Sequence, residues 1–175
     1  MAERPVEDAE LHHELLRRMR RDQAVRTCAP LSSPWTDEQH AECDAVDASN
    51  TAFLKRVIAQ CGWPGRDLVG EEAAHAAWLL VQHADHDVAF QRSCLPLLEE
   101  AAVAGQASWA DHAYLVDRVR VAEGRPQVYG TQYGMHAGRL ELQPVEDPDR
   151  LDERRARAGL GPHAEYDRMH RNQYA

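Results

Sequence analysis

Lysine is almost missing from this chain: Lys55 is the only one, and the remaining basic side chains are arginines. Bases are also outnumbered, 29 acids against 20, which leaves a formal charge of −9. That balance argues against a general phosphate-backbone binder, which needs a cationic surface. No apolar run approaches the ~20 residues that span a bilayer. The charged opening Met1-Ala-Glu-Arg-Pro-Val-Glu-Asp8 has no apolar stretch of a secretory leader. The four cysteines, Cys28, Cys43, Cys61 and Cys94, include no C-x-x-C pair, so neither a zinc spacing nor a small disulfide framework is present. No cofactor fingerprint occurs, and no cofactor is expected. These absences together predict a cytoplasmic protein with reduced thiols, and neither nucleic acid nor membrane as partner.

What remains is an ordinary globular composition, 43% hydrophobic and 28% charged over 175 residues, enough for one domain with its own core. The expectation is a single domain over 1–175, with residues 1–27 an N-terminal helix at the periphery and 36–167 the core. Leu11, Leu15 and Met19 place a first helix over 7–26. Pro30 and Pro34 break it. Thr36-Asp-Glu-Gln39 is a capping box that opens a second helix to about Gln60, which Gly62-Trp-Pro-Gly65 stops. A third helix is predicted over Glu71–His86, and a fourth over 87–104 with Pro96 inside. A fifth, capped at Ser108, runs to Glu123. Residues 126–144 read as a polar loop or short β-hairpin. Asp147-Pro148 starts a sixth helix, and a short helix follows Gly161-Pro162. The fold class is mainly α, a bundle of about six helices.

Two stretches gather chemistry. Gln82-His83-Ala84-Asp85-His86-Asp87 sets ionisable groups at the end of an apolar helix. His83 suits proton transfer there, with Asp85 fixing its tautomer; the alternative is a strip of solvent-facing charge arranged by the helix dipole. Gln127-Val-Tyr-Gly-Thr-Gln132 supplies amide, phenol and hydroxyl groups around a glycine. On the fifth helix Asp117-Arg118 points away from the apolar stripe. It reads either as a surface ion pair or as an anion anchor, Arg118, with Asp117 its clamp or a general base. Glu72-Ala-Ala-His75 matches one of the two Glu-x-x-His motifs of a di-iron bundle, which needs two further carboxylates as well. With His83 and His86 it forms the metal set of a less favoured reading, because further ligands are lacking.

Gly62-Trp-Pro, Gln82-His-Ala-Asp85, Asp117-Arg-Val119, Gln127-Val-Tyr-Gly-Thr-Gln132 and Arg154-Arg155 through Gly159-Leu160 occur in an order that resembles a bacterial domain-of-unknown-function family, over roughly residues 40–167. The resemblance implies no fold or reaction, but it points to His83, Asp117, Arg118, Gln127, Tyr129 and Gln132.

The reading is therefore a small, metal-independent acid–base enzyme, a hydrolase or lyase, acting on a small polar or anionic molecule by hydrolysis, elimination or cyclisation. His83, Asp85, Asp117 and Tyr129 are the catalytic candidates. Gln82, Arg118, Gln127, Thr131 and Gln132 are the substrate-binding candidates. Alternatives are a non-catalytic binding module with a structural polar network, and a helical metalloprotein using Glu72, His75, His83 and His86. The first helix's stripe could equally dock a second subunit as a homodimer.

Overall fold

The structure, a computed structural model, describes residues 6–28, 35–136 and 138–173. Pro30 and Pro34, the expected helix breakers, lie outside the described residues. Among those described are eight α-helices and one two-stranded sheet, so the chain is mainly α. It divides into two compact units, Met1–Ser108 and Trp109–Ala175.

The first unit is all helix: α1 (Ala9–Arg26), α2 (Asp37–Cys61), α3 (Arg66–Val69), α4 (Glu71–Gln82) and α5 (Val88–Val103). The starts are where the sequence puts them. Asp8 accepts from the Leu11 amide, and Thr36 and Gln39 close both halves of the capping box, which satisfies amides the first turn leaves without partners. α4 is the central element, packed by α1, α2, α3 and α5. Its small residues Ala73, Ala76 and Ala77 are buried with Leu80 and Val81, so neighbouring helices can approach closely. Leu15, Leu54 and Leu98 complete an aliphatic core with no exposed surface. The N-terminal helix is thus integral to this unit rather than peripheral: Leu15, Leu16, Asp22 and Val25 are all buried.

Two local departures from the expected helices shape this unit. α3 spans four residues, too few to show a helical period in the sequence. α4 ends at Gln82 rather than running to His86, because Asp87 caps α5 by accepting from the Phe90 amide. The chain between them must turn, and His83 becomes the residue at which α4 stops.

The second unit mixes helix and strand. α6 (Trp109–Ala122) is followed by a loop, then β1 (Tyr133–His136) and β2 (Arg139–Leu142), which pair antiparallel with Tyr133 opposite Leu142. Gln127 and Val145 form one isolated parallel bridge. Asp147-Pro148 opens a single 3-10 turn before α7 (Leu151–Arg157), and α8 (His163–Gln173) closes the unit. Leu115 and Val119 are fully buried here, but so are Asp117, Gln127 and, at 2% exposed, Arg155. This core is substantially polar.

Candidate functional site

His83 owes its position to the end of α4, and its partner comes from α1. Asp22 lies seven residues after Leu15 and so returns to the apolar stripe of α1; its carboxylate is completely buried. The Nδ1 of His83 sits 2.9 Å and 3.0 Å from the two Asp22 oxygens. Arg26, one turn further along α1, brings Nε to 3.0 Å from the same Nδ1 and to 3.3 and 3.4 Å from Asp22. A bare Nδ1 accepts from the Arg26 Nε–H, and a protonated Nδ1 donates to Asp22; the buried carboxylate, the stronger acceptor, favours the protonated form, in which the Arg26 Nε–H turns to Asp22. Gln23 Nε2 donates to Asp22 as well, at 2.9 Å.

The outer end of Arg26 is held with equal care. Its Nη2 donates to Asp47 at 2.5 Å and its Nη1 to the Cys43 thiol at 3.3 Å. Burial alone would raise the Asp22 pKa. The His83 hydrogen bond and charge, with Arg26 and Gln23, outweigh it and keep the carboxyl below its usual value. Burial does raise Asp47, against the pull of Arg26, and pushes the Cys43 thiol up. Cys43 is accordingly a buried neutral thiol rather than an activated nucleophile.

With Nδ1 fixed by Asp22, the opposite nitrogen of His83 has no hydrogen-bond partner among the described residues, and the side chain keeps 15% of its surface open. An imidazole in that tautomer has a lone pair on Nε2 ready to accept a proton. The orienting carboxylate is therefore Asp22, not the expected Asp85. Asp85 lies exposed in the turn and accepts from Gln91 Nε2 at 3.3 Å. Gln82 is buried, with its Oε1 lacking a partner among the described residues.

The metal set is not assembled. Glu72, His75 and His86 are exposed, His75 packs its ring on Trp78 at 4.8 Å, and His83 is committed to Asp22. Among the described residues no three His, Cys, Asp or Glu side chains group as a metal site.

The other candidates belong to the second unit and serve one loop. Asp117 is buried completely, which overturns its reading as half of a surface ion pair. Its Oδ1 accepts from the amides of Val128, at 2.6 Å, and Tyr129, at 3.0 Å; its Oδ2 accepts from the amide and the hydroxyl of Thr131, at 3.0 and 2.9 Å. Burial pushes this carboxyl up while those four donors pull it down. The carbonyls of the same loop are gripped by cations and hydroxyls. Arg154 donates to Val128 O, Arg155 to Tyr129 O and Tyr166 to Thr131 O, at 2.8, 2.7 and 3.0 Å. Gln127 donates from Nε2 to Gln132 O and Gln143 O and accepts from the Gln132 amide through Oε1. A loop without ladder partners must satisfy its backbone this way.

Gly130 makes the same loop possible. Its φ is +64°, and a Cβ there would lie 2.9 Å from the His163 ring, so neither the backbone angle nor the space admits a larger residue. Of the predicted set, the structure brings together Asp117, Gln127, Tyr129, Thr131 and Gln132, with Arg118 Nη1 3.4 Å from Gln132 Oε1. Gln82, His83 and Asp85 belong to the first unit.

Sequence reasoning missed Asp22 and Arg26. The signal is present: an acid on an apolar stripe, four residues before an arginine. It is masked because the helix is otherwise so densely charged that both residues read as part of a solvated face. All four cysteines are free, and among the described residues no helix is long and apolar enough to cross a membrane.

Comparison with known proteins finds no curated protein and no solved structure that matches this chain. A family model does match, over residues 9–175. The chain belongs to that family, DUF6624, a family of unknown function.

Proposed function

We propose that this protein is an acid–base enzyme in which His83 Nε2 takes up or delivers the proton, Asp22 orients the imidazole, and Arg26 fixes the pair. One observation carries the reading: a fully buried carboxylate on Nδ1 of a histidine whose other nitrogen has no hydrogen-bond partner among the described residues and whose side chain reaches solvent. Asp22 holds one tautomer and stabilises the imidazolium when it forms. In a hydrolysis the histidine would activate a water molecule, and an elimination needs no nucleophile at all. Hydrolysis, elimination or cyclisation of a small polar or anionic molecule fit this arrangement, and the residues in place do the proton transfer without requiring a metal. Four unpaired thiols fit a reducing cytoplasmic setting.

A second reading, a structural polar network, is favoured for the second unit by the burial of Asp117, Gln127 and Thr131. There Asp117 is a clamp, and the half-buried Arg118, Tyr129 and Gln132 are the members of the set with reach to bind a ligand.

Two measurements test the His83 assignment. Ring 15N NMR should show the Nδ1–H tautomer in the wild type and a mixture in Asp22→Asn. A panel of carboxylic esters, phosphate esters and β-substituted acids should give turnover that is lost in His83→Gln and reduced about 10-fold or more in Asp22→Asn. An Nε2–H tautomer in the wild type, or turnover indifferent to His83→Gln, removes the reading.

A further inference from the structure

The charge of this chain is negative overall, yet one cleft in the first unit has three arginines in its lining, beside the apolar Ala45 and Val46. Arg17, Arg18 and Arg21 of α1 face Glu42, Ser49 and Asn50 of α2 across a cleft of about 290 Å³. Against a total of −9, the charged side chains of this lining are three arginines and one glutamate.

Arg18 is the fixed member. Its Nε donates to Glu14 at 2.7 Å, its Nη1 to Asn50 Oδ1 at 3.0 Å and to Ser49 Oγ at 3.3 Å. Its guanidinium lies 4.2 Å from the centroid of the Phe53 ring. Held on three sides, it has little side-chain entropy left to lose on binding, which is what a preorganised anion anchor requires. Its Nη2 has no partner among the described residues. Arg17 and Arg21 are tied to Glu14 and Glu42 in the same partial way, and each retains an amino group without an acceptor among the described residues. Ser49 Oγ accepts from Arg18, so its own O–H is available to donate outward. Asn50, only 3% exposed, holds Arg18 through its Oδ1, while its Nδ2 is buried and does not open onto the cleft.

We propose that this cleft binds the phosphate group of a small phosphorylated molecule, with Arg18 as anchor, Arg21 and Arg17 closing over it, and Ser49 supplying a neutral donor. Several guanidinium groups with open donors match the three outer oxygens and double charge of a phosphate dianion better than the two oxygens and single charge of a carboxylate. The site shares no residue with the His83 group, and the proposal stands whether or not that group is catalytic.

The test is an amide NMR titration of the whole chain with inorganic phosphate, with acetate in a parallel series. Saturable shifts centred on Ser49 and Asn50 are expected with phosphate and not with acetate. Affinity should fall about 10-fold or more in Arg18→Gln and at least ~3-fold in Arg21→Gln, as charge-assisted hydrogen bonds are lost. Arg157→Gln, an exposed arginine on α7, should change nothing. Arg21 is a surface side chain, so its variant keeps the test valid if Arg18→Gln does not fold. Shifts that do not saturate, that are equal with acetate, or that survive unchanged in Arg21→Gln overturn the proposal. So do shifts that vanish at about 0.15 M salt, where loosely held counter-ions are screened.

Discussion

Each unit of this protein buries one aspartate completely, Asp22 in the first and Asp117 in the second, and the two solve the same problem by different means. A buried carboxylate costs several kcal/mol unless its charge is met by donors. Asp117 is met by three backbone amides and a hydroxyl, groups that carry no titrating proton near neutral pH. Asp22 is met by His83, Arg26 and Gln23, and one of these, the imidazole, is a group that can carry a proton in either direction. The first arrangement can only hold a loop in shape. The second holds a proton-carrying group in one orientation with its far nitrogen available. Burial and hydrogen bonding mark both aspartates alike; only the nature of the partner separates a carboxylate that holds a loop from one suited to the proposed proton transfer.

Loss of Asp117 should be the most damaging change. Replacing it with alanine leaves four buried donors without an acceptor, and the second unit should lose about 4 kcal/mol or more. Hydrogen exchange localised to residues 127–132 would read this, and near-wild-type protection there would deny the clamp. Asp22→Asn keeps an acceptor for Nδ1 and should cost less, about 2 kcal/mol, on the same scale; its larger effect should fall on the His83 tautomer. Gly130→Ala comes next, at about 2 kcal/mol, because it forces a side chain into a positive φ and against the His163 ring. Equal stability of this variant and the wild type in urea would mean that the loop can relax.

Acid separates the two aspartates further. The Asp22 pKa is lowered in the folded chain, so its contribution is present above the ordinary aspartate value and is lost as pH falls through the lowered one. Asp117 is shifted upward, so its linkage has the opposite sign: the favourable contribution exists at low pH and is lost as pH rises through the raised value. Unfolding free energy followed downward from about pH 5 should therefore drop less steeply in Asp22→Asn than in the wild type. Parallel curves would show that Asp22 is not the group responsible. The smallest effect belongs to the only lysine. Lys55 pairs with Asp87 at 2.5 Å, but half of its side chain is exposed, so Lys55→Ala should change stability by about 0.5 kcal/mol or less.

Much of the helical framework was legible in the chain, since caps, glycines and apolar periods are local signals. The capping box at Thr36 follows from side chains that satisfy nearby backbone, and the stop at Gly62 and the 3-10 start at Pro148 follow from the backbone angles of glycine and proline. The site was legible only in part. The sequence marks His83 as a candidate, and Asp85 is its nearest carboxylate along the chain. Asp22, 61 residues away, is the one that reaches it. The turn after Gln82 turns Asp85 outward to solvent and Gln91, while the packing of α1 on α4 delivers Asp22. Likewise the sequence marks Asp117 as polar on a helix, but cannot show that a loop ten residues later folds over it.

Local chemistry along the chain settles which segments are helices, where most of them start and stop, and that the bend at Gly130 depends on a glycine. Those choices rest on backbone angles and on hydrogen bonds closed within one turn. Packing settles which carboxylate meets which partner, because a buried charge is stabilised by whichever donors are brought within hydrogen-bond distance, regardless of their separation along the chain.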